Sequence, residues 1–384
     1  MVFYQKYTPM INEELISLID YSAPYCVSII SPVHSRSPER QQDHLVIQKA
    51  VEAAKTLIKM KANRKDKSAD LLIERLEDAY RQIDFIHLKK GIGIFVGSEM
   101  GKVVHFPFDV HQKIAVNSSF AALELFYYLY REKTYKLLAV RQHAVHLFNG
   151  YEEVLSEVMN EDFPSIYEEE FEYTHASKIV SHGSTVMKQY EKDTHQLQEI
   201  RQKEFYRKTD DLLTKYINQD EVVMLSAGTN EMSNFKSVSQ HKKLIDGELL
   251  GSFAFKDNFT LGKKAWDKLQ EVAHFKMDHM ILQFQELIGR NLAVFGLQQV
   301  IHAAEEAKGR NLLIDKDFNF LGHVTANGLA YHPGTRSKDK EHFVVNEVYE
   351  RILRLVRKSG GNIVFVDKGM LDNWEGIAMQ LRYP

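Results

Sequence analysis

The sequence predicts a mixed α/β protein, and two observations support this class. Long segments place apolar residues at the spacing of an amphipathic helix, and short runs of strand-forming residues lie between them. A chain of 384 residues, 44% of them hydrophobic, is long enough for two or three packed cores. We expect three α/β domains, at residues 1–134, 135–257 and 258–384.

The first domain is predicted to contain a sheet and a helical hairpin. We expect a short helix at 11–20 and a strand from Tyr25 to Ile30. Two helices follow, with inward-facing Leu45, Ile47, Val51, Ala54, Leu57 and Ile58 in the first and Leu72, Leu76, Ala79, Ile83 and Ile86 in the second. Strands at 92–96 and 103–108, joined by a turn at Gly97–Gly101, complete the domain.

The second domain is predicted to alternate strands and helices. Strands at Leu137–Val140 and Ala144–Phe148 are followed by Asn149-Gly150, a strong turn signal. Residues 151–173 contain nine acidic residues and neither Lys nor Arg, so this segment is unfavourable for RNA. A long charged helix and a strand at Glu221–Leu225 follow, in an order typical of α/β domains.

The third domain is predicted to begin with a connecting helix near Leu261. The expected elements are a strand at Asn291–Gly296, a helix at Gln298–Ala307, a strand at Asn311–Asp315, a polar segment at 322–342, a closing helix, and strands at Asn362–Val366 and Ile377–Tyr383. This alternation predicts an α/β/α sandwich with a mostly parallel sheet.

The closing helix of the third domain is amphipathic. Its apolar residues are Val345, Val348, Ile352, Leu355 and Val356, with Arg351, Arg354, Arg357 and Lys358 between them. We expect the apolar face to be buried and the basic face to be solvated. The Gly360-Gly361 pair is expected to end the helix.

Composition restricts the cellular setting and the partners. The net charge of −3 and pI near 6.6 exclude the global basic field of a duplex-binding protein, so any nucleic-acid contact is a local patch. Cys26 is the sole cysteine and no disulfide can form within the chain, which fits a reducing cytoplasm. The apolar runs are shorter than a membrane span and residues 1–20 lack a signal pattern, so we expect a cytoplasmic protein without a membrane partner.

No catalytic residue, metal site or cofactor is predicted. His143 and His146 are three residues apart near a strand end, which places them on opposite faces of an extended chain. The segment Gly97–Lys102 is not a phosphate loop, because three residues separate its glycines and Val103 stands where Ser or Thr would bind magnesium.

The strongest RNA candidate is the basic tip of the helical hairpin. Six positive charges lie between Lys55 and Lys67, and we predict phosphate contacts by Lys59, Lys61, Arg64, Lys65 and Lys67. A solvated helix end without a partner is the alternative interpretation.

The end of the chain resembles a known family. The pattern of helix, Gly360-Gly361, strand, short helix, Gly376-Ile377-Ala378 and Leu381-Arg382-Tyr383 is similar to the C-terminal end of Pelota and the class-one peptide-chain release factors. Their bacterial counterparts form the bacterial archaeo-eukaryotic release factor-like family. The resemblance covers roughly residues 130–384 and implies a ribosomal-protein-like α/β/α sandwich at the C-terminus that docks a protein partner.

The departures from this family define the expected activity. Where release factors carry Gly-Gly-Gln in the middle domain, this chain has His182-Gly183-Ser184-Thr185, so peptidyl-tRNA hydrolysis is not expected. The hairpin tip, Ala62–Ser68, lacks the Asn-Ile-Lys-Ser motif, so stop-codon reading cannot be carried over. By analogy with the family, His182, Lys188 and Arg201 would contact RNA near the tRNA acceptor arm.

The resemblance therefore implies a non-hydrolytic ribosome- or tRNA-associated factor that serves ribosome rescue, stalling or hibernation. An enzyme that uses an interdomain cleft, such as an RNA or phosphoester hydrolase, is the alternative from another class. A scaffold with protein partners alone is the third possibility.

Overall fold

The computed structural model describes most of the chain. The described residues are 3–34, 39–62, 67–131, 133–167, 184–217, 221–241, 245–251, 258–316, 321–325, 328–331, 343–344 and 346–384. The chain forms two compact units, one of residues 1–131 and 280–384 and the other of residues 132–279. Within the described ranges, no helix is long and apolar enough to cross a membrane. The predicted mixed α/β class is confirmed.

The N-terminal part of the first unit is an antiparallel sheet covered by helices. Its elements are α1 (Phe3–Asp20), β1 (Ser22–Pro32), α2 (Arg40–Lys61), α3 (Lys67–Arg81), β2 (Gly91–Val96), β3 (Gly101–Phe106), β4 (Lys113–Ser119) and α4 (Leu123–Tyr130). The strand order is β3-β2-β1-β4, with antiparallel neighbours throughout. The predicted turn between β2 and β3 is confirmed by a hydrogen bond of 2.8 Å from Gly97 N to Met100 O.

Both faces of β1 are buried, because its side chains alternate between two hydrophobic cores. Val27 and Ile29 pack with the apolar faces of α2 and α3. Cys26 and Ile30 pack in the core that contains residues of α1 and α4. The sheet is therefore the middle layer between two sets of helices.

The apolar face of the hairpin helices is shorter than predicted. Leu45 and Ile86 are 56% and 67% exposed, so the expectation that they face inward is wrong. Leu45 stands two residues before the buried Ile47, which places it on the opposite side of α2. Ile86 lies beyond Arg81, where α3 ends, so the helical period no longer sets its direction.

The second unit is built on a six-stranded mixed sheet. Its elements are β5 (Thr134–Val140), β6 (Ala144–Tyr151), β7 (Val154–Glu157), β8 (Ser165–Ile166), α5 (Ser184–Leu213), β9 (Val223–Ala227), α6 (Thr229–Val238), β10 (Ile245–Leu250) and the first part of α7 (Asn258–Ile288). The order is β10-β9-β5-β6-β7, with β8 beside β6. The strands β10, β9 and β5 are parallel, and the remaining pairs are antiparallel. Residues of α5 and α6 pack on one face and residues of α7 on the other.

The predicted turn at Asn149-Gly150 is wrong. Both residues lie inside β6, opposite Lys136 and Tyr135 of β5. The chain turns later, at Glu152, whose φ is 52°. The glycine serves packing instead, because a Cβ on Gly150 would lie 2.3 Å from the ring of Tyr135.

The C-terminal part of the first unit contains two further sheets. Its elements after α7 are β11 (Ala293–Phe295), α8 (Leu297–Glu305), β12 (Gly309–Asp315), β13 (Leu321–Thr325), β14 (Gly328–Tyr331), β15 (Phe343–Val344), α9 (Asn346–Lys358), β16 (Asn362–Val366), a short 3-10 helix (Asp372–Trp374) and β17 (Ile377–Leu381). One sheet has the order β11-β17-β12-β16, and the other has the order β14-β13-β15. The predicted end of α9 is confirmed, because Gly360 has a φ of 70° and Gly361 N donates to Val356 O at 2.9 Å.

The prediction of a mostly parallel C-terminal sheet is wrong. The strands β12 and β16 are parallel, whereas β17 is antiparallel to both β11 and β12. Residues 367–376 connect β16 to β17, and a parallel crossover needs about a dozen residues or more. This short connection returns the chain to the same end of the sheet, which is what an antiparallel strand requires.

One hydrophobic core joins the two ends of the chain. Leu18 of α1 and Phe126 of α4 belong to the same buried cluster as Ile352 and Val356 of α9 and Met379 of β17. This shared core explains why residues 1–131 and 280–384 form one compact unit. The three domain boundaries expected from the sequence stay a prediction.

The basic face of α9 makes tertiary contacts, so the expectation that it is solvated is wrong at two positions. Arg354 donates from Nε to Ile19 O at 3.2 Å and from Nη2 to Phe120 O at 3.1 Å. Arg357 forms an ion pair with Asp20. Arg351 and Lys358 are exposed, as expected.

We predict that Gly150→Ala lowers the free energy of unfolding by about 1–3 kcal/mol, because the new methyl group would displace the Tyr135 ring. Urea unfolding followed by circular dichroism measures this change. Gly101→Ala, at the start of β3, is the matched control, since no atom lies within 4 Å of the position of its Cβ. Equal stability of the two variants would contradict the packing role assigned to Gly150.

Candidate nucleic-acid interface

The helical hairpin presents part of the predicted basic tip to solvent. Helix α2 ends at Lys61, where the N–H of Ala62 donates to Ile58 O at 2.9 Å. Lys59 is exposed in the last turn of this helix. Arg64 and Lys65 lie outside the described residues, as does the side chain of Lys67 at the start of α3.

Lys61 differs from its neighbours because it is bonded to the sheet. Its ammonium group donates to the backbone oxygen of Val116 and, at 3.1 Å, to Oδ1 of Asn117. Both acceptors belong to β4 and carry no charge. Lys61 therefore ties the end of α2 to the sheet while retaining its positive charge.

Lys55, the first charge of the basic run, is neutralised by carboxylates. Its ammonium lies 2.7 Å from Glu52 on the same helix and 2.8 Å from Glu77 on α3. The hydrogen bond to Glu52, followed by the one to Glu77, raises the pKa of Lys55. The ion pair with Glu77 links the two hairpin helices, so Lys55 supports the hairpin and the exposed positive charge begins nearer the tip.

The second set of predicted RNA contacts is placed only in part. Lys188 and Arg201 are both on α5, and Arg201 is exposed. They are thirteen positions apart, which corresponds to roughly 20 Å along a helix. His182 and the side chain of Lys188 lie outside the described residues.

A polar cleft in the first unit brings together residues that the sequence did not single out. It has a volume of about 440 Å³, and its lining residues are Pro24, Tyr25, Lys61, Val116, Asn117, Ser118, Ser119, Glu350 and Arg354. Lys61 of the hairpin and Arg354 of α9 thus line the same cleft. The participation of Glu350 and Arg354 depends on tertiary packing between segments far apart in the chain.

Glu350 is a buried carboxyl group at the wall of this cleft. It is 4% exposed, and its Oε2 lies 3.7 Å from Nη1 of Arg354. Burial raises the pKa of Glu350 to about 7, although Lys113 and Arg354 act in the opposite direction. Lys113 also forms an ion pair with the buried Glu124, at 3.0 Å. Its positive charge therefore interacts with both Glu124 and Glu350.

The two histidines considered for a metal are held by separate partners. His146 Nδ1 contacts Oε1 of Glu157, and the ring of His143 stacks on Tyr167 with a centroid distance of 6.0 Å. In the part of the chain that the structure describes, no group of three or more His, Cys, Asp or Glu side chains is arranged to hold a metal ion.

The central region of the chain is similar to a protein family. Residues 134–308 match the model of bacterial archaeo-eukaryotic release factor family 3. This range begins with β5 and extends past α8. The search among curated proteins gave no match.

Solved structures align along nearly the whole chain with low similarity. A translation termination-like factor of S. cerevisiae is 12% identical, with a TM-score of 0.40 and coverage of 97% of this chain and 93% of that chain. Ribosome-bound archaeal Pelota is 11% identical, with a TM-score of 0.39 and coverages of 97% and 94%. An archaeal translation termination factor is 14% identical, with a TM-score of 0.25 and coverage of 98% of both chains. At these TM-scores the alignments carry no argument about function.

We predict that stability falls as the pH rises from about 4.5 to about 7 because of Glu350. The folded protein holds the Glu350 proton up to about pH 7, whereas an unfolded chain releases it near the ordinary glutamate value of 4.5. Glu350→Gln removes this dependence. Relative to the unmodified protein, the variant should gain on the order of 2–3 kcal/mol between pH 4.5 and pH 8.

Urea unfolding at pH 4.5 and pH 8 measures the effect of Glu350→Gln. Glu305→Gln, at an exposed position of α8, is the control for the loss of one carboxylate. An identical effect of Glu350→Gln at both pH values would show that Glu350 does not hold its proton in the folded state.

Proposed function

We propose that the protein is a cytoplasmic translation factor that binds the ribosome or tRNA without hydrolysing peptidyl-tRNA. The proposal is based on the match of residues 134–308 to the model of bacterial archaeo-eukaryotic release factor family 3. The family match is the observation that carries the translational role. The missing Gly-Gly-Gln supports the non-hydrolytic part of the proposal. A factor of this kind serves ribosome rescue, stalling or hibernation.

The hairpin tip is the proposed contact with ribosomal RNA. Lys59 is exposed in the last turn of α2, and Arg64, Lys65 and Lys67 follow it in the sequence, so the positive charge is concentrated in this short segment. Such charges neutralise phosphates and release counterions, so binding is salt-dependent. Lys61 contributes to the local field, and its bonds to β4 hold the end of α2 against the sheet.

The middle domain is the proposed contact with the tRNA acceptor arm. Lys188 and Arg201 lie on α5, and His182 comes shortly before this helix. The acidic segment 151–173 precedes them in the sequence and would repel phosphate, so the proposed contacts are confined to the basic residues. The C-terminal α/β/α sandwich is the proposed docking domain for a protein partner.

We expect the protein to co-sediment with ribosomes at about 50 mM salt and to dissociate at about 200 mM. The triple variant with Arg64, Lys65 and Lys67 changed to Ala should bind roughly tenfold more weakly at low salt, because three phosphate contacts are lost. Sucrose-gradient sedimentation of purified ribosomes with the protein, followed by immunoblotting, gives the bound fraction.

The matched control changes three exposed lysines away from the tip, Lys49, Lys89 and Lys90, to Ala, so the net charge changes equally. This control should retain ribosome binding. If the protein stays in the light fractions at both salt concentrations, the ribosomal proposal is wrong. If both triple variants lose the same amount of ribosome binding, the effect is due to net charge, and the hairpin tip is not the contact.

A second prediction concerns catalysis. Ribosomes loaded with labelled peptidyl-tRNA should release no more peptide with this protein than with buffer, because no Gly-Gly-Gln segment is present to act in the peptidyl-transferase centre. A true release factor is the positive control. Peptide release above background would overturn the non-hydrolytic assignment.

A further inference from the structure

The polar cleft opens where the pairing of β1 with β4 is interrupted. Ser22 pairs with Ser119 and Cys26 pairs with Asn117, so three residues of β1 stand opposite Ser118 alone. Pro24 lies within this bulge and has no N–H to donate to β4. Bulges of this kind redirect side chains and are frequent next to binding sites.

Two cationic side chains converge on the cleft from different elements. The described acceptors of Lys61 are the oxygens of Val116 and Asn117, which are uncharged. Arg354 donates to the backbone oxygens of Ile19 and Phe120, and its contact with Glu350 is 3.7 Å long. The positive charge at the cleft is therefore fixed in place by neutral groups and only weakly opposed by a carboxylate.

The remaining lining provides hydrogen bonds and one aromatic ring. Ser118 is exposed at the cleft, with Ser119 beside it, and hydroxyl groups of this type donate to phosphate oxygens. The half-buried Tyr25 offers a ring against which a nucleobase can stack. The volume of about 440 Å³ lies within the range of about 300–1,000 Å³ typical of small-molecule sites.

Glu350 is compatible with an anion in this cleft. Because burial raises its pKa to about 7, a large fraction of the molecules carry it in the uncharged form near neutral pH. A protonated carboxyl group donates a hydrogen bond and does not repel an anion.

We propose that this cleft binds the phosphate monoester of a nucleotide, with Lys61 and Arg354 as its cationic contacts, Ser118 as a hydroxyl donor and Tyr25 beside the base. The nucleotide is either free in solution or the 5′-phosphorylated end of an RNA. Both sources present the same doubly charged phosphate, which two fixed cations recognise better than the singly charged phosphodiester inside a chain.

Isothermal titration of the full chain with adenosine 5′-monophosphate, adenosine and inorganic phosphate tests the proposal. Adenosine 5′-monophosphate should bind, inorganic phosphate should bind more weakly, and adenosine should not bind. Absence of binding by both phosphate probes at millimolar concentration would overturn the proposal. No ribosome is present in this experiment. A failure of the nucleotide proposal is therefore distinguishable from a failure of the proposed translational role.

Two variants locate the site without disturbing the packing of α9. Ser118→Glu places a negative charge at the cleft and should weaken binding at least about tenfold. Gln112→Glu makes the same change in charge at an exposed position just before β4 that does not line the cleft, and it should leave the affinity unchanged. Equal affinity of both variants and the unmodified protein would place any bound phosphate elsewhere.

Lys61→Met adds a second measurement of the same contact. It removes the positive charge at similar length and should also weaken binding about tenfold or more. Lys49→Met, at an exposed position of the same helix and outside the cleft lining, is its control. A thermal melt of each variant verifies folding, and a folded Lys61→Met protein with full affinity would overturn the assignment.

The source of the phosphate is decided by a pair of RNA oligonucleotides. A 5′-phosphorylated strand that binds more tightly than both its 5′-hydroxyl form and adenosine 5′-monophosphate identifies an RNA end. If the phosphorylated strand and adenosine 5′-monophosphate bind with the same affinity, the ligand is a free nucleotide. Equal binding of the phosphorylated and hydroxyl strands would contradict recognition of a phosphate monoester.

Discussion

Arg354 and Arg357, both on α9, hold the carboxyl end of α1. A helix leaves its final carbonyl groups without internal partners and carries partial negative charge there. The last turn of α1 contains no basic residue of its own. Arg354 supplies a donor to Ile19 O, and Arg357 pairs with Asp20. The arrangement of α1, α4 and α9 around one shared core depends on this contact between the two ends of the chain.

The same contact determines the chemistry of the polar cleft. Because Arg354 is held by two backbone oxygens, its charge is fixed at the wall of the cleft, with Glu350 next to it. Lys61, which lines the same cleft, is fixed by its bonds to β4. A site made from residues of β1, α2, β4 and α9 exists only while the N- and C-terminal parts pack together, so ligand binding there would stabilise that packing.

The proposed translational role and the cleft rest on different evidence. The role follows from the family match of residues 134–308, which includes neither the hairpin nor α9. The cleft follows from geometry in the first unit. The hairpin is common to both proposed sites, since Lys61 is the last residue of α2 and also lines the cleft. A ligand in the cleft would therefore contact the residue that bonds the end of α2 to β4.

Local spacing was enough to predict most helices and strands, including the helical hairpin, and local motifs carried the family resemblance. The RNA contacts at the basic tip stay a prediction. The sequence misplaced the turn at Asn149-Gly150, since the glycine is required by the Tyr135 ring on the neighbouring strand. It assigned Arg354 to solvent, and only the tertiary structure places this side chain against Ile19 and Phe120. Strand direction in the C-terminal sheet and the cleft were likewise decided by contacts between distant segments, which no local pattern encodes.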